Sequence, residues 1–252
     1  MAQALLSLHG LTKRYGALAA TDDVSLQVAA GSVHALIGPN GAGKTTLIGQ
    51  IAGQLRADAG RIEFDGHDVT RLPPHTRVRR GLARSWQVTN LFARLSALDN
   101  AALAVQAADG SSFRFWQPVQ HERSLFERAA AVLERVGLGA RHDVPAGVLA
   151  HGEQRRLEMA LALASRPRLL LLDEPMAGMG PDESAQMVAL LQSLRGEVTL
   201  LLVEHDMDAV FRLADTISVL VYGRVIASGA PASIRAHEEV RRAYLGDAEP
   251  VA

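Results

Sequence analysis

The stretch Gly38-Pro39-Asn40-Gly41-Ala42-Gly43-Lys44-Thr45-Thr46 fits the phosphate-binding loop pattern G-x-x-x-x-G-K-[ST]. Its glycines let the backbone curl so that successive N–H groups point at the α- and β-phosphates of a nucleotide. Lys44 is expected to reach the β- and γ-phosphates, and the Thr45 hydroxyl to hold Mg²⁺. The pattern therefore implies that the chain binds a nucleoside triphosphate. A second group with chemistry follows the apolar run Leu169–Leu172, which ends in Asp173-Glu174. Ligands of an open parallel sheet sit beyond the carboxyl ends of its strands, so both acids are expected near the phosphates. Asp173 is suited to hold Mg²⁺ through its water shell, and Glu174 to orient or deprotonate an attacking water. The nine histidines are scattered without metal-ligand spacing, and no Ser-His-Asp order stands out.

These residues need elements to place them. Val33–Ile37 is an apolar run with one histidine, His34, as a buried strand can be, and Lys44–Ala52 reads as a helix whose positive end faces the phosphates. Residues 4–8, 24–28 and 61–66 alternate apolar and polar, which suits a half-exposed antiparallel sheet. Leu169–Leu172, Thr199–Val203 and Ile217–Val221 are continuous apolar runs, expected of strands covered on both faces. Helical segments at Pro181–Leu194 and Met207–Ala214 separate them, and that alternation implies a parallel sheet with crossovers. From about residue 89 to residue 165 the strand signal stops. Helical spacing replaces it, as in Leu125, Ala129, Val132, Leu133 and Val136. The fold class is α/β: residues 1–88 and 166–252 are expected to form a nucleotide-binding core with an antiparallel β subdomain, and 89–165 an inserted α-helical subdomain.

With 252 residues the chain can bury a full α/β core. A formal net charge of −1 gives no basic field to attract nucleic acid, and none is expected as a partner. There is no cysteine, which excludes disulfides and thiolate metal sites. No signal-peptide pattern opens the sequence, and no apolar run approaches the roughly 20 residues that span a bilayer. If the protein works at a membrane, a partner must provide the crossing.

Leu149-Ala150-His151-Gly152-Glu153-Gln154, followed by Arg155-Arg156-Leu157-Glu158-Met159-Ala160, resembles the signature motif and helix of ATP-binding cassette (ABC) ATPases. The resemblance covers nearly the whole chain. It implies a P-loop NTPase (RecA-like) core and assigns further roles. Gln87, in Arg84-Ser85-Trp86-Gln87, matches the Q-loop glutamine that ligates Mg²⁺ and senses the helical subdomain. His205 matches the switch histidine on the γ-phosphate, and Tyr15 the aromatic that stacks on adenine. The implied mechanism is a head-to-tail sandwich of two ATPase subunits. ATP lies between the phosphate loop of one and residues 150–154 of the other, where a helix N-terminus starting at a glycine-containing turn faces the γ-phosphate.

Two positions depart from the family pattern. Ala150 stands where Ser is common, and a lost hydrogen bond to a charged group, worth roughly 1.5–3 kcal/mol, would slow turnover about ten- to a hundred-fold. Gly180 stands where many members have Asp, which puts coupling between the two sites in doubt.

The strings at 152–158, 174–179, 204–207 and 243–246 look like the ATP-binding subunits of branched-chain (hydrophobic) amino acid importers. The stretch 109–121 is similar to that of the larger ATPase of the pair. That likeness implies a subunit peripheral to the cytoplasmic face of the bacterial inner membrane. Its partners would be a second ATPase, two permeases and, indirectly, a solute-binding protein. The same strings are similar to those of urea importers and, less closely, of lipopolysaccharide exporters. A soluble ABC protein without a transport role, and a regulator that binds ATP without turning it over, are the readings from other classes. Phe113, Phe115 and Trp116 are read as packing for the helical subdomain or as an anchor for a permease helix. Arg77, Arg79, Arg80 and Arg84 are read as a solvated helix face, with anionic lipid as the alternative.

Overall fold

The computed structural model describes residues 4–85, 91–109 and 123–242. Its β1 (Ala4–Tyr15) and β2 (Leu18–Ala29) form a long hairpin, extended by β4 (Ala59–Phe64) and β5 (His67–Asp68) into an antiparallel sheet of order β2-β1-β4-β5. The alternation read at 4–8 and 24–28 is the inner half of that hairpin. Leu6, Leu8, Val24 and Val28 are buried, as is Leu5, while His9, Asp23, Ser25 and Gln27 are exposed.

A second sheet forms the centre. β3 (Val33–Ile37) lies between β8 (Thr199–Val203) and β9 (Thr216–Val221), and β8 continues to β7 (Leu169–Asp173) and then β6 (Leu82–Arg84), all parallel. The antiparallel β10 (Arg224–Gly229) closes the other edge. Every residue of β3, β7 and β8 is buried, which is why these segments read as largely apolar runs.

The period-2 geometry sends their side chains to two different cores. Leu36, Leu169, Leu171, Leu201 and Val203 pack with α1 (Lys44–Ala52) against the antiparallel sheet. Val33, Ala35, Leu170, Leu172, Leu200 and Leu202 pack on the opposite face. There they meet α6 (Pro181–Ser193) and α7 (Met207–Leu213), and they join the helical region α3 (Ala97–Asp109), α4 (Arg123–Arg135) and α5 (His151–Ala164). The helical region thus shares one continuous apolar core with the central sheet. Short helices α2 (Pro74–Arg79), α8 (Pro231–Ala236) and α9 (Glu238–Val240), with 3-10 turns at Gly139–Arg141 and Ala146–Val148, complete the described elements. No helix among the described residues is long and apolar enough to cross a membrane.

Two expectations are corrected. The helix after the signature residues begins at His151, with Ala150 as its N-cap, so Gly152 lies inside the helix and not in a turn before it. Glu153 makes this start favourable by folding back to accept the Ala150 N–H at 3.0 Å. The arginine run is not one solvated face either. Arg79 and Arg80 are exposed, but Arg77 is only 2% exposed and donates to the carbonyls of Gln50, Ile51, Thr70 and Leu72. A guanidinium with five donors suits the unpaired carbonyls that end a helix, and here it closes the C-terminus of α1.

Candidate functional site at the ends of the central strands

The phosphate loop joins β3 to α1, and glycine is obligatory at two of its corners. A Cβ on Gly38 would stand 2.0 Å from the Leu220 carbonyl oxygen, and one on Gly43 1.9 Å from that of Ala20. Both are backbone contacts that cannot give way, so the loop is pressed between β9 and β2. Gly43, at φ 103°, turns the chain directly into Lys44 at the start of α1.

An open cleft of about 320 Å³ lies over this loop. Tyr15, Leu18 and Ala20 form one wall, loop residues 40–46 the floor, and Glu174 the far side. Tyr15 is half exposed there, with the Lys13 ammonium 5.6 Å from its ring centre. Lys44 is buried and turned back on its loop, donating to the carbonyls of Gly38 at 2.6 Å and Pro39 at 3.0 Å. Burial pulls its pKa below the usual lysine value, while the carboxylates of Glu174 and Asp173 push it back up.

Both acids occupy the end of β7. Glu174 has φ 51°, a left-handed conformation that is costly for a side chain with a Cβ and is held by its N–H donating to Val203 at 2.9 Å. Its Oε1 stands 3.8 Å from His205 Nδ1, just beyond the end of β8. Asp173 is buried, which raises its pKa, and the neighbouring Arg84 opposes that shift. The structure therefore brings together Tyr15, residues 38–46, Asp173, Glu174 and His205. Gln87 lies outside the described residues, as do Trp86, Phe113, Phe115, Trp116 and residues 243–246.

None of residues 150–154 lines this cleft. Their own bonds hold the start of α5: Gln154 donates to the carbonyls of Ala146 and Leu149, and Glu153 also accepts from Arg141 at 2.9 Å. The Gly152 N–H, expected to be free for a phosphate, donates to Glu183 Oε1 at 3.2 Å. That carboxylate also accepts the Gly180 N–H at 3.2 Å, tying the signature helix to the start of α6.

Sequence reasoning missed two residues at the site. Glu204 is buried, and its carboxylate accepts Met176 N–H at 3.0 Å and His205 N–H at 3.1 Å. It ties the loop after Glu174 to the loop of His205. Burial raises its pKa, and these backbone N–H groups hold it down. The charged residue between an apolar strand and His205 was the available signal. The other residue is Arg84, whose Nη2 donates to Asp173 Oδ2 at 2.9 Å.

Comparison with known proteins agrees with this geometry. The family model described as "ABC transporter" matches residues 21–177, more than half of the chain. This chain belongs to the ABC transporter family of ATPases. A second model, "Branched-chain amino acid ATP-binding cassette transporter", matches residues 224–250. The chain is 41% identical to the high-affinity branched-chain amino acid transport ATP-binding protein BraF of Pseudomonas aeruginosa, over 98% of this chain and all of that one. With LivG of Escherichia coli, of the same description, it shares 38% over the same extents. An ATP-binding cassette of an ABC transporter solved in its ADP conformation superposes with a TM-score of 0.85 at 29% identity, covering 97% of this chain and all of that one. The α/β P-loop fold and the family read from the motifs are thereby borne out.

Proposed function

We propose that this ABC ATPase powers the import of branched-chain, hydrophobic amino acids through a separate permease pair, from the cytoplasmic face of the bacterial inner membrane. The observation that carries the solute class is the match of residues 224–250, of which the described residues 224–242 do not line the nucleotide cleft.

In this reading Tyr15 stacks on adenine, and the loop amides of 38–46 bind the phosphates with Lys44. That lysine leaves the Gly38 and Pro39 carbonyls for the β- and γ-phosphate oxygens, a stronger charge-assisted pairing. The residues on offer to Mg²⁺ are the Thr45 hydroxyl and Asp173, with Gln87 as the third. All give hard oxygen donors, and no cluster of three or more His, Cys, Asp or Glu ligands occurs among the described residues. Few protein ligands completed by phosphate and water is the mode Mg²⁺ favours, so the site fits it. When bound, the metal neutralises charge developing on the transferred phosphoryl group.

Glu174 serves as the base for the attacking water, and His205 contacts the γ-phosphate. Their 3.8 Å separation sets a cation-capable imidazole beside the base, where it can steady the base's orientation. Residues 150–154 act in trans on the nucleotide of a second ATPase subunit. For them to do so, Glu183 must give up the Gly152 N–H to the phosphate. The permease is assigned to an apolar groove of about 260 Å³ lined by Val78, Leu82, Leu91 and Leu161, with Phe92 exposed nearby.

The test is a tagged pull-down from native membranes in mild detergent. Two polytopic permeases and a second ATPase are expected among the captured proteins. Ribosomal proteins, or no membrane protein, would refute the transporter reading.

A further inference from the structure

We infer that Arg84 is a positioning residue for Asp173: it fixes one carboxylate oxygen so that the other is presented to the metal of a bound nucleotide. The inference rests on the reading of Asp173 as a metal-facing residue.

The parallel pairing of β6 with β7 sets Arg84 beside Leu171, and the Ser85 N–H donates to the Leu171 carbonyl at 2.9 Å. From there the guanidinium reaches forward along β7. Nη2 donates to Asp173 Oδ2 at 2.9 Å, and Nη1 donates to the Gln54 side-chain oxygen just past the end of α1. The ion pair is well shielded, with the Arg84 side chain 12% and that of Asp173 1% exposed.

Its geometry differs from that of three other arginine pairs of the molecule, although pairs such as Arg141 with Glu153 and Arg155 with Glu158 also engage one oxygen. Arg128 with Asp109, Arg135 with Glu197 and Arg168 with Asp65 each place two guanidinium nitrogens on both carboxylate oxygens. In that arrangement the planar fork holds both oxygens of the carboxylate. Arg84 instead spends its second arm on Gln54 and engages Oδ2 alone. A buried pair contributes little net stability compared with apolar packing, but it does fix orientation. The groups around a metal-facing carboxylate act in that way, by setting its direction and basicity. Arg84 and Gln54 also line the groove assigned to the permease.

The experiment is a Mg²⁺ titration of the binding of a fluorescent ATP analogue to the full-length chain, with thermal unfolding as the check on folding. Arg84→Gln is expected to raise the Mg²⁺ midpoint about tenfold. Gln54→Ala, which alters an exposed residue and frees only the second arm, is expected to raise it by less. It carries the test if Arg84→Gln does not fold. Folded Arg84→Gln and Gln54→Ala variants that keep the parent midpoint, while Asp173→Asn raises it, would overturn the inference and leave the metal role of Asp173 standing. A lowered midpoint in Arg84→Gln would also overturn it, because the arginine would then be competing with the metal. If Asp173→Asn keeps the parent midpoint, the metal role of Asp173 falls and the inference falls with it.

Discussion

Glu174 Oε1 and His205 Nδ1 stand 3.8 Å apart, carried past the ends of the adjacent parallel strands β7 and β8. The pairing of Asp173 with Val203 places the two side chains at the same level, and Glu204 fastens the loops that follow. Two residues distant in sequence thus come together because the Glu174 N–H donates to the Val203 carbonyl and one buried carboxylate joins the backbones of Met176 and His205.

Replacing the base tests the first half of this arrangement. Glu174→Gln keeps the side chain's shape and removes its ability to take a proton. Turnover in the assembled transporter is expected to fall by about 10²- to 10⁴-fold, while nucleotide binding persists. Single-turnover hydrolysis and fluorescent-nucleotide binding measure the two separately. Equal losses in both would contradict the assigned role.

Glu204→Gln tests the fastening. An amide offers one acceptor oxygen where the carboxylate offers two, so one N–H, of Met176 or His205, must face an NH₂ group. Losing one buried charge-assisted bond, roughly 1.5–3 kcal/mol, is expected to lower kcat about ten- to a hundred-fold with little change in KM. A change confined to KM would place Glu204 outside the γ-phosphate end of the site.

Arg77→Met removes the four bonds from the guanidinium to the carbonyls of Gln50, Ile51, Thr70 and Leu72. The Gln50 carbonyl keeps the Gly53 N–H, but the Ile51, Thr70 and Leu72 carbonyls lose these bonds, and a loss of about 3 kcal/mol is the expected outcome. For a chain of this size that corresponds to a Tm lower by about 6–12 °C. Differential scanning calorimetry checks it, and an unchanged Tm would mean that water replaces the arginine.

His34 sets a pH dependence. Its ring is buried on β3 against the Ser218 hydroxyl at 2.8 Å, and burial lowers its pKa from 6.5 to about 4. The unfolded chain therefore binds a proton between those values that the folded chain refuses. The stability involved is complete above pH 6.5, and it is lost as pH falls from 6.5 towards 4. At 1.36 kcal/mol per unit this amounts to about 3 kcal/mol. Denaturant unfolding at pH 7.5 and pH 4.5 should show a smaller acid loss in His34→Gln than in the parent. Equal losses would assign the acid sensitivity to other groups.

Much of the fold was legible because burial on two faces leaves an unmistakable pattern. Val33–Ile37 and Thr199–Val203 read as strands to the residue, and α1 was bounded by its own glycines at 43 and 53. β6 and β10 were not read. β6 is three residues long, and in β10 no residue is fully buried, so neither shows a continuous apolar run. The charged residues divided by whether a pattern stood behind them. Lys44, Asp173 and Glu174 belong to motifs. Arg77 and Arg84 look in sequence like their exposed neighbours Arg79 and Arg80. Only the folded chain brings α1's bare carbonyls to one and Asp173 to the other. The start of α5 was misplaced because Gly152 reads as a turn residue. Inside the helix its N–H donates to Glu183, and a Cβ there would require that flexible side chain to move.

The most direct measurement of the central claim is ATP-driven uptake of radiolabelled leucine by proteoliposomes containing this chain with its co-purified permeases and second ATPase, supplied with the system's solute-binding protein. The account predicts uptake that requires ATP and Mg²⁺ and is abolished when Glu174→Gln replaces the parent chain. Leucine uptake that persists with Glu174→Gln, or ATP hydrolysis with no transport of any branched-chain amino acid, would contradict it.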